Sequence, residues 1–482
     1  MIGMRYFIRV LTISIGVFLI SSVLQAVDKP NFILINVDDL GWTDLGCFGS
    51  KIYETPNIDD LAKNGMRFTD AYAACAVCSP TRAAIMTGRY PARLGVTDWI
   101  RARFQGGRIP NNKKNPMGWV GSKVNKVLCP KNALWMESEE ITIAEQLKKL
   151  GYKTCHIGKW HLGADDWYPD RQGFDENYGG CDYGQPPSYY DPFSNKRLKG
   201  INGLPGKKKG QYLTDRECDE ALGFISRNKK TPFFIYFANY AVHTPIQAKA
   251  SLLDKYKNKI NKLSKVKQKN AAYATMVESV DQAVGRIREK LSEYDLSKNT
   301  VIIFTSDNGG LLGPTNNAPL RSGKGYPYEG GIRVPLIVHW PGVTKAGAIS
   351  DVPVSSVDYF PTICAAAGVA LPSKSIIDGF DLKPLMEGKG SLNREDLFWH
   401  FPHYRGRVMP YTIIRSGSWK LIKRYDGKEY ELFNLAKDIG ETDELSNKMP
   451  EKIKELDAKI SKWLKKTGAK VPKTNPNYAG NK

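Results

Sequence analysis

Five apolar, β-branched runs of strand length lie at wide intervals along this chain, at 31–37, 153–157, 232–237, 301–305 and 334–340. They lack the apolar/polar alternation of a half-exposed strand, so they read as strands buried on both faces. Helical stretches fall between them. Thr142 with Glu145 and Thr214 with Glu217 have capping-box spacing, and the first of these stretches ends at Gly151. Alternating strands and helices predict an α/β fold built on a large doubly wound, mixed sheet. Ligands of such sheets sit beyond the carboxyl ends of the strands. The residues there are Asp38 and Asp39 after the first run, Lys159 and His161 after the second, His243 after the third, and Asp307 and Asn308 after the fourth.

The 482 residues exceed what one core organises, so a second, smaller unit is expected. After about residue 390 the pattern changes to short runs at 396–400, 411–414, 419–422 and 430–435, then a helix at 450–465. That predicts a small antiparallel sheet with one helix, and a loose basic tail after Thr467. Arg5 and Arg9 precede an apolar run from Val10 to Ile20 that ends in Ser21, Ser22 and Ala26. The run is too short to span a bilayer and reads as a signal peptide, which places the mature chain in a secreted or periplasmic setting. The expected division is 1–26 signal peptide, 27–390 catalytic domain and 391–482 C-terminal subdomain.

The formal net charge of +21 favours polyanionic partners and says nothing about fold. Few aromatic residues interleave the lysines between Lys255 and Lys269, which argues against base stacking and a nucleic-acid partner. The eight cysteines are compatible with an oxidising compartment and form no repeated metal-binding CxxC pattern. Cys75 and Cys78 are nominally CxxC, yet a thioredoxin-like site wants a small βαβ context, and the residues after Cys78 point elsewhere.

The segment after Cys75 is the most specific in the chain: Ala76-Val-Cys-Ser-Pro-Thr-Arg-Ala-Ala-Ile-Met-Thr-Gly88. Its Cys78, Pro80 and Arg82 resemble the Cys-x-Pro-x-Arg signature of formylglycine-dependent sulfatases, which have an alkaline-phosphatase-type fold. A second block, Gly151-Tyr-Lys-Thr-Cys-His-Ile-Gly-Lys-Trp-His161, fits the same family. So do Glu329-Gly-Gly-Ile-Arg-Val-Pro335, Ile414-Arg-Ser-Gly-Ser-Trp-Lys-Leu421 and Glu431-Leu-Phe-Asn-Leu435, and the resemblance runs from about Asn31 to about Leu445. Several motifs in order carry far more weight than one.

The resemblance implies that a maturating enzyme oxidises Cys78 to formylglycine, whose hydrated aldehyde offers two hydroxyls on one carbon. Arg82 and Lys159 would hold that diol, and His161 would accept its proton. His243 and Lys324 would bind sulfate and assist the departing alcohol, and the second hydroxyl would then expel sulfate. The oxygens of Asp38, Asp39, Asp307 and Asn308 suit a hard cation, Ca²⁺ or Mg²⁺. Adding a formylglycine oxygen from position 78 and a sulfate oxygen gives six or seven ligands, which favours Ca²⁺. Taken singly, Asp38-Asp39 before Gly41 would be a helix or turn cap, and each histidine a core residue. Their joint occurrence at strand ends overrides those readings. Glu329 and Arg333 read as structural.

The expected substrate is a sulfated carbohydrate. Trp99, Arg101, Trp119, Tyr189 and Tyr190 are candidates for sugar contact. The His400-Phe-Pro-His403-Tyr-Arg405 segment resembles one in carbohydrate-active members, and makes His403 and Arg405 candidate substrate contacts. The alternatives are a phosphonate or phosphodiester hydrolase using the same aldehyde, and a non-catalytic binder of sulfated glycans.

Overall fold

A computed structural model describes residues 29–480, so the signal-peptide segment lies outside the described residues. The large sheet has eight strands: β1 (Asn31–Val37), β2 (Met66–Phe68), β3 (Lys153–Gly158), β4 (Glu176–Tyr178), β5 (Phe233–Ala238), β6 (Thr300–Ser306), β7 (Leu336–His339) and β8 (Ala348–Ser350). Their spatial order is β8-β2-β7-β6-β1-β5-β3-β4. Strands β6, β1, β5, β3 and β4 run parallel. Strand β7 runs antiparallel between β6 and β2, so the fifth apolar run is in the sheet but reversed.

Every residue of β1 is buried. Ile33, Ile35 and Val37 join one core, and Phe32 and Leu34 another, so alternate side chains fill opposite faces of one sheet. Five helices matter to the site: α1 (Cys78–Thr87), α2 (Leu213–Asn228), α3 (Ala271–Glu293), α4 (Tyr359–Ala367) and α5 (Pro450–Thr467). Helices α2 and α3 cover the first face through Phe224, Ile225, Val277, Val280 and Val284. Helices α1 and α4 cover the second through Ala83, Ile85, Phe360 and Ile363. Each such fully buried Val, Ile or Phe side chain contributes roughly 1.5–3 kcal/mol over exposure.

The two expected capping boxes part company. Thr142 caps the helix Ile143–Lys148, accepting from Glu145 N while the Glu145 carboxylate accepts from Thr142 N. Helix α2 instead begins one residue before Thr214, with Tyr212 as its N-cap. Glu217 turns inward, accepting from Asn239 Nδ2 at 2.9 Å and Tyr240 N at 3.2 Å. Buried backbone and amide donors of the loop after β5 need an acceptor more than a helix start open to other partners does.

The second unit is a four-stranded antiparallel meander: β9 (Asp396–Phe401), β10 (Tyr411–Ser416), β11 (Trp419–Arg424) and β12 (Tyr430–Asn434). One face packs on α5 through Leu456, Ile460 and Trp463. The other, with Trp399, Phe401, Ile413 and Phe433, packs on Tyr72, Val77 and Ile332 and so seats the meander beside the Cys78 turn. The tail after Thr467 corrects the loose-tail expectation. Lys473–Thr474 pairs with Val127–Leu128, and the Asn475 side chain donates to Ser122 O and Asn125 O. Unpaired edge groups of the hairpin supply partners that the polar composition does not reveal.

Candidate active site

Four strand ends meet at one rim, laced by their own backbones. Asp38 N donates to Ala241 O, Val242 N to Asp38 O, Lys159 N to Ala238 O and Asp307 N to Val37 O. Helix α1 presents Cys78 as its first residue. The turn before it is pinned by Thr81 Oγ1, which accepts from Cys75 N and donates to Cys75 O, both at 3.0 Å. Ser79 Oγ donates to His161 O and accepts from Ile100 N, so the helix start is tied to the loop after β3.

Cys78, Asp38, Asp39 and His243 each place a ligand-capable atom within 4.8 Å of the others. Around them three cations face three carboxylates. Lys159 Nζ donates to Asp38 Oδ2 at 2.7 Å, and Arg82 Nε to Asp307 Oδ2 at 2.8 Å. Lys324 Nζ lies 2.6 Å from Asp39 Oδ1 and 2.8 Å from Asp39 Oδ2. Asn308 Nδ2 donates to Asp39 Oδ1 at 2.8 Å. Two site residues, Asp39 and His161, have φ of 62°, a left-handed conformation that the surrounding hydrogen bonds must enforce.

Electrostatics follow from burial. Burial pushes the Asp38 carboxyl up to about 8, opposed by Lys159 and reinforced by Asp307. Burial also acts to raise Asp39, but Lys324 and His243 outweigh it and hold it well below the usual range. Burial raises the Cys78 thiol, with Lys159 and Lys324 opposing. Burial and Lys324 lower His243 to about 3, and burial with Lys159 lowers His161, so both rings are neutral.

A divalent ion fits this donor set. Asp38 Oδ1 and Asn308 Oδ1 are buried with no hydrogen-bond partner, and an orphaned buried oxygen is costly unless a cation or donor meets it. The donors are hard oxygens, the chemistry of Ca²⁺ or Mg²⁺. Asp307 stands apart from the closest group, committed to Arg82 and to Asp39 N.

The thiol of Cys78 opens into a cavity of about 170 Å³, lined also by Trp99, Gln105, His161, His243 and Lys324. Arg405 from the second unit lines it too, and its Nη1 is buried without a partner. Gly325 adopts φ 85°, and a Cβ there would rest in ordinary contact with Arg405 Nη1, at 3.4 Å, so the left-handed backbone and not the guanidinium asks for glycine. Gly184 makes room for the His161 imidazole, since a Cβ would fall 2.7 Å from its Cε1. Gln105, at the end of the short 3-10 helix Arg103–Gln105, and Gly184 and Gln185, in a loop, carry no periodic or motif signal and were not readable from the sequence. His403 does not line this cavity: its Nε2 meets Thr97 Oγ1 at 2.8 Å, and it borders a neighbouring cleft.

Of the proposed sugar-contact residues, Trp99 alone borders both hollows, and Arg101 borders the outer one. Tyr189 is fully buried, its hydroxyl within reach of Tyr240 O and His243 O, and so braces the histidine loop. Tyr190 lines a separate hollow with Lys208 and Lys249. Trp119 lies under Lys473 Nζ, 4.2 Å from its ring centre. All eight cysteines, Cys75 and Cys78 included, are free.

Residues 30–369 match the family model described as Sulfatase, and residues 323–470 match one described as N-sulphoglucosamine sulphohydrolase, C-terminal. A "Sulfatase" of Formosa agariphila is 33% identical over 92% of this chain and 90% of its own length. The N-acetylgalactosamine-6-sulfatase of Canis lupus familiaris is 35% identical over 82% of this chain and 72% of its own. The crystal structure of Ps i-CgsB superposes with a TM-score of 0.76 at 35% identity, covering 90% of this chain and 93% of that one. The same protein has been solved in complex with k-i-k-neocarrahexaose.

Proposed function

Because the chain belongs to the sulfatase family and is a sulfuric ester hydrolase, we propose that it removes sulfate from a sulfated carbohydrate, using Cys78 as formylglycine beside a bound Ca²⁺. The single observation that carries this reading is the placement of Cys78 at a buried helix start, within 4.8 Å of Asp38, Asp39 and His243, where it opens into a cationic cavity. Hydrated formylglycine supplies a nucleophile with two hydroxyls on one carbon. A hard dication would be held by Asp38, Asp39 and Asn308, with Asp307 reaching it from the side it shares with Arg82, and would supply polarisation of the sulfate.

The chain's own residues do the rest. His161 Nε2 lies 2.7 Å from Ile100 O and must carry the proton there, which leaves Nδ1, buried and without a partner, as the base at position 78. His243 Nδ1 lies 3.0 Å from Thr244 O and so carries the proton, with Thr244 Oγ1 3.1 Å away; Nε2, 3.6 Å from Asp39 Oδ2, is the unprotonated nitrogen that faces the site. The proton for the departing alcohol is then supplied by Lys324. Asp39 overcomes the cost of burial and keeps Lys324 protonated, so its charge faces the sulfate oxygens. Arg82, fixed by Asp307 and by Lys159 O at 2.6 Å, and Lys159 hold the nucleophile's surroundings in place. Arg405 Nη1 contacts an anionic or hydroxyl group of the substrate, and His403 acts farther out.

The chain requires a formylglycine-generating or sulfatase-maturating enzyme, and it is exported to the periplasm or beyond the cell after loss of the segment ending near Ala26. N-terminal sequencing of the mature protein checks the export reading. Mass spectrometry of the peptide containing Cys78 checks the oxidation. Turnover is then measured on an aryl sulfate, a phosphodiester, a phosphonate and a panel of sulfated galactose, glucosamine and fucose units with their oligosaccharides. An unmodified thiol in fully active protein, or preference for phosphorus esters, would overturn the proposal.

A further inference from the structure

A second cleft of about 570 Å³ adjoins the catalytic cavity. Trp99 lines both, and the chain passes from one to the other along residues 403–405: His403 and Tyr404 border the cleft, Arg405 the cavity. The inner space is below the ~300–1,000 Å³ of sites that enclose a whole organic ligand, and the outer one lies within that range. The cavity thus has room for the ester-bearing unit and little else.

The outer cleft is built from three separately fixed pieces of chain. Asn132 locks the Trp99 loop, its Oδ1 accepting from Thr97 N and Asp98 N and its Nδ2 donating to Asp98 O and Trp99 O. The hairpin Trp119–Val120 with Val127–Pro130 forms the opposite wall, held on its far edge by Lys473–Thr474. Tyr404 ties this hairpin to the second unit, its hydroxyl donating to Asp426 Oδ2 and accepting from Val127 N. Arg101 and the exposed Lys131 bring positive charge to the lining, and Trp99 and Tyr404 bring flat faces. Rings with apolar faces and anionic substituents are what such a lining accepts.

We propose that cleft and cavity form one substrate channel: the inner part holds the sulfate-bearing sugar and the outer part the next sugar of the same sulfated chain, so the enzyme prefers oligosaccharides to monosaccharides. This rests on the sulfated-carbohydrate reading above. The test uses formylglycine-containing protein and the sulfated sugar that the panel identifies, supplied as mono-, di- and tetrasaccharide with one identical ester. Expected is a rise of about tenfold or more in kcat/KM from mono- to disaccharide, carried mainly by KM. Val120→Trp, at a side chain 55% exposed, and Lys131→Ala, on an exposed side chain, should each shrink that ratio several-fold. Equal kcat/KM at all lengths, or a length preference that both variants leave intact, overturns the channel. Turnover of aryl sulfate with none of any sulfated sugar overturns the carbohydrate reading instead, and the two failures are thereby told apart.

Discussion

Cys78 has three properties that a nucleophile in this cavity requires: it starts a helix, it is buried, and it is flanked by lysines without being bonded to one. Cys78→Ala removes a side chain that makes no hydrogen bond of its own, so folding stability should change little while turnover falls by at least about 10⁴-fold. Lys324→Ala should be milder, about 10²–10³-fold in kcat, the scale for losing one charge-stabilising donor. Parallel urea melts and single-substrate kinetics on the two variants measure both. His400 gives a separate pH handle, since it lines neither the cavity nor the cleft. Its Nε2 meets Lys470 O and its Nδ1 meets Thr412 Oγ1, and burial lowers its pKa from 6.5 to about 4. The unfolded chain therefore binds this proton first as pH falls. The stability that His400 contributes is complete above pH 6.5 and is lost as pH falls toward 4, on the order of 3 kcal/mol at most. Urea unfolding at pH 7 and pH 5 should show a flatter dependence for His400→Gln than for the native chain.

At the scale of elements, the loop that follows each parallel strand does the positioning, and the helices behind fix the loops. Helix α1 is buried along its whole length, so its first residue has no freedom to retreat from the rim. The C-terminal tail acts through the hairpin that walls the outer cleft. Ending the chain after Gly468 removes the Lys473–Thr474 pairing and the Asn475 hydrogen bonds. Hydrogen exchange should then accelerate at Val127–Pro130 while β1 and β6 stay protected, and kcat/KM should fall more on oligosaccharide than on aryl sulfate. Uniform acceleration across the large sheet would show that the tail stabilises the whole fold rather than this hairpin.

At the scale of the molecule, two sheets are joined through a buried ionic node. Lys420 of β11 is fully buried, 2.9 Å from Glu329 Oε1 and 2.7 Å from Glu441 Oε1. Glu329 in turn accepts from the Tyr72 hydroxyl and meets Arg333, which makes it structural, as its Gly-rich setting implied. Lys420→Met strands two buried carboxylates and should cost about 3–5 kcal/mol in urea unfolding at pH 8. Near pH 7 and below the loss should shrink, because burial already holds Glu441 up at about 7 and its protonation removes one stranded charge. The rim at the strand ends carries the other charge cluster. On the proposed Ca²⁺ site, chelation with EGTA should lower Tm and stop turnover, with Ca²⁺ restoring both better than Mg²⁺, since the rim carboxylates would then lose the cation that offsets their charge.

Much of this was legible in the residues. Both-face burial leaves an unbroken apolar run, so four parallel strands and the rim positions that follow them were readable at Asp38, Lys159, His243 and Asp307. Local chemistry likewise marked the Thr142 cap and the meander. What tertiary structure alone decided was which polar side chain answered which buried partner: Glu217 left its helix start for the loop after β5, Tyr189 went behind His243, and the basic tail became a strand. The same contest separated Arg405, inside the cavity, from His403, outside it. Periodicity and motifs report a residue's own backbone and burial, whereas these outcomes depend on donors and spaces contributed by chain tens to hundreds of residues away, for which a linear pattern carries no signal.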